Sequence, residues 1–497
     1  MKMVIPMLPR KQMILSRHLE LYDILIPKNH LLRRYNELMD FGFVTEELKD
    51  TYSETMGAEA IDPEEMFKLL LLKVMYPMSD RDLIERATTD LAYKYFLAIA
   101  PEAELPHPTS LTKFRKLRLK EPGFLDRLIG KTVQIAIEKG LIKSGKIIVD
   151  ATHTTSPYRS MSPVEILEEE SKKLRKAVYG IDETYREKMP EKPKTNDLNE
   201  HLGYCKKLIE VVRADESLQI RENVRLGTNY LEEILEDHLE ELHSLKEKEA
   251  KMGHKSVDTA FFGYKSHIAM TPERIISGVV VTTGDKADGQ YTQELIEKSV
   301  ENGIKVDTLI GDGAYSGKDN LAYGAGQDIT MVTPLNTTVY QGHKGTRKCH
   351  GFSYNKDAGM YVCTAGHMAI RKVHNGGKKQ NGAARRLITY YFDVETCKNC
   401  PLRNGCYKDG STTKSYTETV QSDLHQEHIA FEKTDEYKKL YKERYKIEAK
   451  NAELKCVHGL DRCDSTGLFS MTLQSTITIF IVNLKRIVTL EAEKTIR

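Results

Sequence analysis

Long apolar runs are scarce in this chain. The opening stretch "MKMVIPMLPRKQMILSRHLE" lacks the continuous apolar core of a signal peptide, and the longest late run, "ITIFIVNL", is far too short for a membrane span. A cytoplasmic protein without a membrane partner is the expectation. A surplus of one charge is missing too: 74 Lys and Arg stand against 72 Asp and Glu, and a net of +2 by itself says nothing about nucleic acid. Internal repeats and low-complexity tracts are absent, so no repeat array accounts for the length. Cysteine is sparse, with eight in 497 residues, and four of them crowd into positions 363–406. In a reducing compartment such a set reads as thiols or metal ligands rather than a disulfide frame.

What is present is unevenly spread. A chain of 497 residues exceeds one ordinary domain, so two or three folded units around a large core are expected. Residues 342–415 hold 14 basic and 4 acidic residues, whereas residues 161–250 hold 15 basic and 22 acidic ones. That asymmetry suits one polyanion-facing segment and one solvated spacer.

Residues 1–125 read as an all-helical domain. "DPEEMFKLLLLKVMYP" offers Asp62 as an N-cap and Pro63 at the first helical position, then runs apolar to Pro77. In "SDRDLIERATTDLAYKYFLAIAP", Ser79 and Asp82 have capping-box spacing. A third helix, "PTSLTKFRKLRLK", carries Lys113, Arg115, Lys116, Arg118 and Lys120. Three short helices ending in a basic one resemble a DNA-binding helical domain; a helical cap with a solvated basic face is the plainer reading.

Residues 145–335 change to short β-branched runs. "KIIVDATHT" reads as a strand, followed after a long charged interval by strands "GYKSHIAM" and "ISGVVVTT", a helix "DGQYTQELIEKSVENG", a strand "VDTLIGDGAYSG", a second helix and a last strand "DITMVTP". The interval 156–256 interrupts this α/β pattern after its first strand. It reads as a helical hairpin broken around Pro190 and Pro193, with Ile234, Leu235, Leu239, Leu242 and Leu245 spaced for an amphipathic helix that packs in the hairpin or in a dimer. Residues 336–425 form a basic cysteine-containing insertion, and 430–490 return to the core.

Two aspartates end apolar strands: Asp150 after "IIV" and Asp312 in "LIGDGAYSG". A carboxylate at the tip of a buried strand is rigidly held yet open to solvent, which suits metal chemistry, although a turn or cap role is commoner for either residue alone. Asp307 begins its strand where Asp312 ends one, so Asp312 is preferred. A third carboxylate comes from "YKERYKIEAKNAELK", residues 441–455. On a continuous helix Tyr441, Arg444, Glu448 and Lys455 fall within an arc of about 60°. The plainer reading of Glu448 is an ion pair with Arg444 four residues away. Three hard oxygen ligands suit Mg²⁺ or Mn²⁺, which can activate water or a 3′-hydroxyl and stabilise a leaving oxygen.

The spacing Tyr441-x2-Arg444-x3-Glu448-x6-Lys455 resembles the Y-R-E-K signature of bacterial insertion-sequence transposases with a DDE active site. "IIVDATHT" and "LIGDGAYSG" look like that family's first and second Asp segments, and "SDRDLIERATTDLAYKYFLAI" with "HPTSLTKFRKL" is similar to its N-terminal helical domain. The resemblance implies an RNase H-like core of mixed sheet, with an insertion before the final helix. It also implies that Asp150, Asp312 and Glu448 hold the metal ions, that Tyr441, Arg444 and Lys455 contact DNA, and that an oligomer works on two element ends. Arg can clamp a phosphate, Lys supplies a point charge and Tyr can stack on a base; packing against the core is the plainer role for Tyr441.

The cysteine segment gives Cys363, Cys397-x2-Cys400 and Cys406, four thiolates able to form a tetrahedral Zn²⁺ staple, with His367 or Cys349 as substitutes and ordinary thiols as the alternative. Cys456 and Cys463 read as buried packing residues. Lys344, Arg347, Lys348, Arg371, Lys372, Lys378, Lys379, Arg385 and Arg386 would bind phosphates chiefly through charge. The function expected is a transposase that cleaves phosphodiesters at the element's terminal inverted repeats and joins the 3′-hydroxyl to target DNA. The alternatives are an inactive transposase-derived DNA-binding protein and an RNase H-like nuclease without joining activity.

Overall fold

The computed structural model describes residues 16–53, 60–120, 123–156, 162–237, 249–254, 260–335, 352–355, 360–376, 386–419 and 423–496. The chain begins with eight helices: α1 (Glu20–Leu25), α2 (Leu31–Leu38), α3 (Phe43–Leu48), α4 (Pro63–Met75), α5 (Asp80–Thr89), α6 (Leu91–Leu97), α7 (Thr109–Leu117) and α8 (Phe124–Glu138). Their starts follow the sequence signals. Asp62 accepts from the Glu64 amide at 2.8 Å with Pro63 in the first turn, and Ser79 accepts from the Asp82 amide at 3.1 Å. Leu69, Leu70, Leu71 and Leu72 are all buried, so α4 is covered on every side and acts as a core helix.

Strand β1 (Lys146–Thr155) opens the sheet, and an insertion of α9 (Pro163–Tyr179), α10 (Leu198–Arg213), α11 (Glu216–Gln219) and α12 (Glu222–Asp237) follows. Here the expected hairpin is corrected. Three long helices enclose an apolar cluster of their own, including Leu174, Leu208, Leu231 and Leu235, because α10 supplies a third apolar face. Leu239, Leu242 and Leu245 lie outside the described residues.

The sheet continues with β2 (Lys251–His254), β3 (Ala260–Met270), β4 (Ile276–Thr283), then α13 (Thr292–Glu301), β5 (Thr308–Ile310), α14 (Lys318–Gly326) and β6 (Thr330–Val332). This is the order read from the sequence with a short β2 added. Strand β1 is central, antiparallel to β3 and parallel to β5; β6 extends the parallel edge, while β4 and β2 both pair with β3. Ile147, Ile148 and Val149 are fully buried between helical layers, which is why the run is continuously apolar.

A cysteine-bearing module comes next. Strands β7 (Ser353–Asn355) and β8 (Met360–Val362) pair with each other, and β9 (Arg371–Gly376), β10 (Arg386–Phe392) and β11 (Lys414–Thr419) form a second antiparallel sheet, with α15 (Val394–Lys398) between the last two strands. Four helices close the chain: α16 (Asp423–Glu432), α17 (Asp435–Tyr441), α18 (Tyr445–Cys456) and α19 (Leu468–Ile496).

Helix α19 is long and apolar enough to span a membrane by length and composition, yet 67% of its apolar window is buried in the fold. It packs on α4, α8 and β4. Asn483 ties it there, donating to Thr132 Oγ1 at 2.9 Å and to the Ile276 carbonyl at 2.8 Å while accepting from the Ile276 amide at 2.8 Å. A buried amide satisfied by three partners fixes the register of the helix on the sheet.

Candidate active site

The parallel pairing of β1 and β5 sets Ile148 opposite Ile310. Asp312 follows the end of β5, but the strand-tip position expected for Asp150 is corrected: β1 runs on to Thr155 because β3 keeps pairing with it, and Asp150 lies inside the strand opposite Ile268, two residues past the last β1–β5 pair. Close packing holds this corner together. A methyl at Gly311 would stand 3.0 Å from both the Tyr315 ring and Val149, and one at Gly289 would stand 2.2 Å from the Ala314 carbonyl oxygen. The loop carrying Asp288 therefore abuts the turn after Asp312. Asn320 clips the two together, donating to the Gly289 carbonyl at 2.8 Å and the Tyr315 carbonyl at 3.2 Å. One Asp312 oxygen accepts from the Ala314 amide at 2.8 Å, so the cap role that such an Asp commonly fills is present as well.

Helix α18 lies along β1. Asn451 Nδ2 donates to Asp150 Oδ2 at 2.9 Å, and Lys455 Nζ lies 3.3 Å from the His153 ring. Ile447, Lys450 and Leu454 form the buried face. Glu448, one turn before Asn451, accepts from Arg444 Nη1 at 2.6 Å. The plain ion pair foreseen for these residues is thus formed, and Arg444 in turn feels the charges of Asp150 and Asp312.

The continuous helix assumed for the signature is corrected. A 3₁₀ turn over Lys442–Arg444 separates α17 from α18. Tighter winding at three residues per turn rotates Tyr441 away from the simple wheel position. Its ring stacks on Tyr437 with centroids 5.7 Å apart.

Electrostatics mark the same place. Burial pushes the Asp150 carboxyl up to about 6; Arg444 counteracts this, while Asp312 and Asp288 add to it. Arg444 feels Asp150, Tyr441, Glu448 and Asp312 together, which raises its pKa against the effect of its own burial. Tyr315 is raised well above the ordinary phenol range, first by burial and then by Asp150, Asp288 and Asp312. Asn451, Tyr315 and Asp288 were missed by motif reading. The available signal was one helical turn beyond Glu448 for Asn451 and three residues beyond Asp312 for Tyr315.

No three His, Cys, Asp or Glu side chains among the described residues are already drawn together as a metal shell. The oxygen donors of this corner are nevertheless of the kind a hard divalent cation takes. Asp312 lies close enough to Asp150 to raise its carboxyl, and Asn451 Oδ1 and Tyr315 Oη are buried without a hydrogen-bond partner. Unsatisfied buried polar atoms of this kind await a ligand or ordered water.

The other expected contacts divide. Lys113 is exposed on α7, and Arg371 and Lys372 are exposed on β9, where the Arg371 guanidinium sits 4.3 Å from the Tyr391 ring centroid. Arg115 is already engaged inside the fold: its guanidinium meets the fully buried Asp80, at 3.1 Å for one contact, beside Lys73 at 2.7 Å. Spending that charge on DNA would strand a buried carboxylate. Lys344, Arg347, Lys348, Cys349, Lys378, Lys379 and Arg385 lie outside the described residues, as does the side chain of Arg386.

Cys363, Cys397, Cys400 and Cys406 line a single cavity with His367 and Lys414. Cys463 is buried as expected, but Cys456 is exposed, because the last turn of α18 points it away from the core.

Two family profiles match the chain: Transposase domain (DUF772) over residues 20–117, and Transposase DDE domain over residues 362–488. The first spans α1 to α7. The second covers the cysteine module from the end of β8 onward, Glu448 and most of α19, but does not reach Asp150 or Asp312. No curated protein matches the chain. The DDE family implies an RNase H-like core, in keeping with the mixed sheet around β1. A helical transposase domain ahead of a DDE domain identifies this chain as an insertion-sequence transposase of the DDE type.

Proposed function

We propose that this transposase cleaves phosphodiester bonds at the terminal repeats of its element and joins the freed 3′-hydroxyl to target DNA, with Asp150, Asp312 and Glu448 holding divalent cations. The observation that carries this reading is the β1–β5 register, which puts Asp150 of β1 and Asp312 just past β5 each two residues beyond the last pair, beside a helix tied to Asp150 through Asn451. Magnesium or manganese bound there supplies Lewis-acid activation of the attacking oxygen and charge stabilisation of the leaving one. Any zinc on this reading is structural and belongs to the cysteine module.

The chain's own groups do the rest. Asn451 holds Asp150 in orientation, and Arg444, already among the carboxylates, is within reach of a phosphate brought to them. Lys455 and the exposed Lys113, Arg371 and Lys372 add positive charge for the DNA backbone. Tyr441 stands at the end of α17, just before the 3₁₀ turn that carries Arg444. Two copies are expected on DNA, since two element ends must be brought together, and the working location is the DNA-containing cytoplasm.

The test is a labelled element end supplied with Mg²⁺ and target plasmid. Joined products support the proposal; cuts without joining indicate a plain nuclease, and bound but intact DNA indicates an inactive binding protein. Glu448→Gln should reduce cutting to background while sparing most DNA binding, and a variant that still cut would remove Glu448 from the site.

A further inference from the structure

Among the described residues, the cysteine module buries few apolar side chains. Its buried apolar cluster holds Ala369, Tyr390 and Phe392, with partly buried neighbours such as Phe352 and Tyr416. Burying a large side chain contributes about 2–3 kcal/mol, while ordering each backbone residue costs about 1–2 kcal/mol. Two small sheets with loops of this size need a staple.

The thiols stand where a staple belongs. Cys363 follows β8, Cys397 lies in α15, and Cys400 and Cys406 follow that helix, so residues distant in sequence meet at one cavity. Local backbone is shaped around them. Cys363 heads a tight turn closed by the Gly366 amide on its carbonyl at 2.8 Å, with Gly366 at φ 83°, and the Cys363 amide donates to the His367 carbonyl at 2.8 Å. The Leu402 amide donates to Cys400 Sγ at 3.4 Å, a contact that favours a thiolate.

We infer that Cys363, Cys397, Cys400 and Cys406 close on one Zn²⁺ ion, and that this ion holds residues 352–419 in their fold. The thiols line the cavity without forming a finished shell, so binding draws them inward. On binding, each thiol gives up its proton to solvent and its sulfur lone pair to the metal, with no change of oxidation state.

The test uses the full chain purified without chelator under reducing conditions. Metal analysis should find about one zinc per chain. Cobalt exchanged for zinc should give thiolate-to-metal charge-transfer absorption and the visible bands of a tetrahedral site. Chelation should open residues 352–419 to protease while the sheet around β1 stays resistant. Cys397→Ser and Cys406→Ser should each lower bound zinc, and the exposed Cys456→Ser should not. Iron in place of zinc, zinc below about half an equivalent, or cobalt spectra without thiolate bands would overturn the inference. The wild-type measurements decide it even if the cysteine variants fail to fold.

Discussion

Asn451 is the residue through which the signature helix touches the first aspartate. Its amide spends one donor on Asp150 and leaves its carbonyl oxygen buried without a partner. Groups that orient metal-binding carboxylates typically affect affinity or activity by about 10–100-fold. Asn451→Ala should therefore weaken Mn²⁺ binding, followed by electron paramagnetic resonance titration, by about tenfold or more. Unchanged Mn²⁺ affinity would reduce Asn451 to packing. Glu65 makes a separate case on α4. Burial, and then Asp62, raise its carboxyl to about 7. The folded state thus prefers neutral Glu65: the penalty is absent well below the unfolded value of about 4.3, grows as pH rises, and is complete above about 7. Glu65→Gln should stabilise the protein by roughly 1–2 kcal/mol at pH 8 and by almost nothing at pH 4, read from denaturant midpoints at the two pH values.

At the scale of elements, α5 and α7 are joined by charge as well as by apolar packing. Burial by itself would raise the pKa of Asp80, but Arg115 and Lys73 outweigh it and hold the carboxyl well below its usual range. Removing one partner of a buried pair typically costs about 3–5 kcal/mol. Because Lys73 remains, Arg115→Ala should cost on the order of 3 kcal/mol in urea unfolding, whereas Lys113→Ala on the exposed face should leave stability within about 0.5 kcal/mol. A loss of DNA affinity by Arg115→Ala at full stability would restore Arg115 as a direct contact. Both residues look alike in "LTKFRKL"; only the acidic partner two helices earlier separates them.

At the scale of the whole molecule, the acidic insertion braces the N-terminal helices. Asp82 on α5 accepts from Arg225 at 2.9 Å and from Asn229 at 2.7 Å, and Glu233 accepts from the Asp80 amide at 3.0 Å, all three partners lying on α12. Arg81 returns the contact to Glu232 and Glu236. Arg225→Ala combined with Asn229→Ala should raise hydrogen exchange in α5 and α12 together, while β1 and β3 stay protected. Exchange rising in α12 alone would show that α5 does not depend on the brace. The negative charge that suggested a solvated spacer is thus partly used on neighbouring helices.

The local signals were legible because they depend on near neighbours. Caps at Asp62 and Ser79, the apolar run before Asp150, and the alternation of strands and helices through 335 each follow from short-range sterics and hydrogen bonding, and the signature spacing was enough to indicate the family. Other features were not legible because their partners are remote in sequence. The pairing of Arg115 with Asp80, the third helix of the insertion, the stacking of Tyr441 on Tyr437 and the placement of Asn451 on Asp150 depend on contacts across elements. The sequence alone determined which residues could do chemistry and which segments could be strands or helices. The tertiary structure decided which of those residues meet, because ion pairing, burial and strand register depend on distances that the linear chain does not specify.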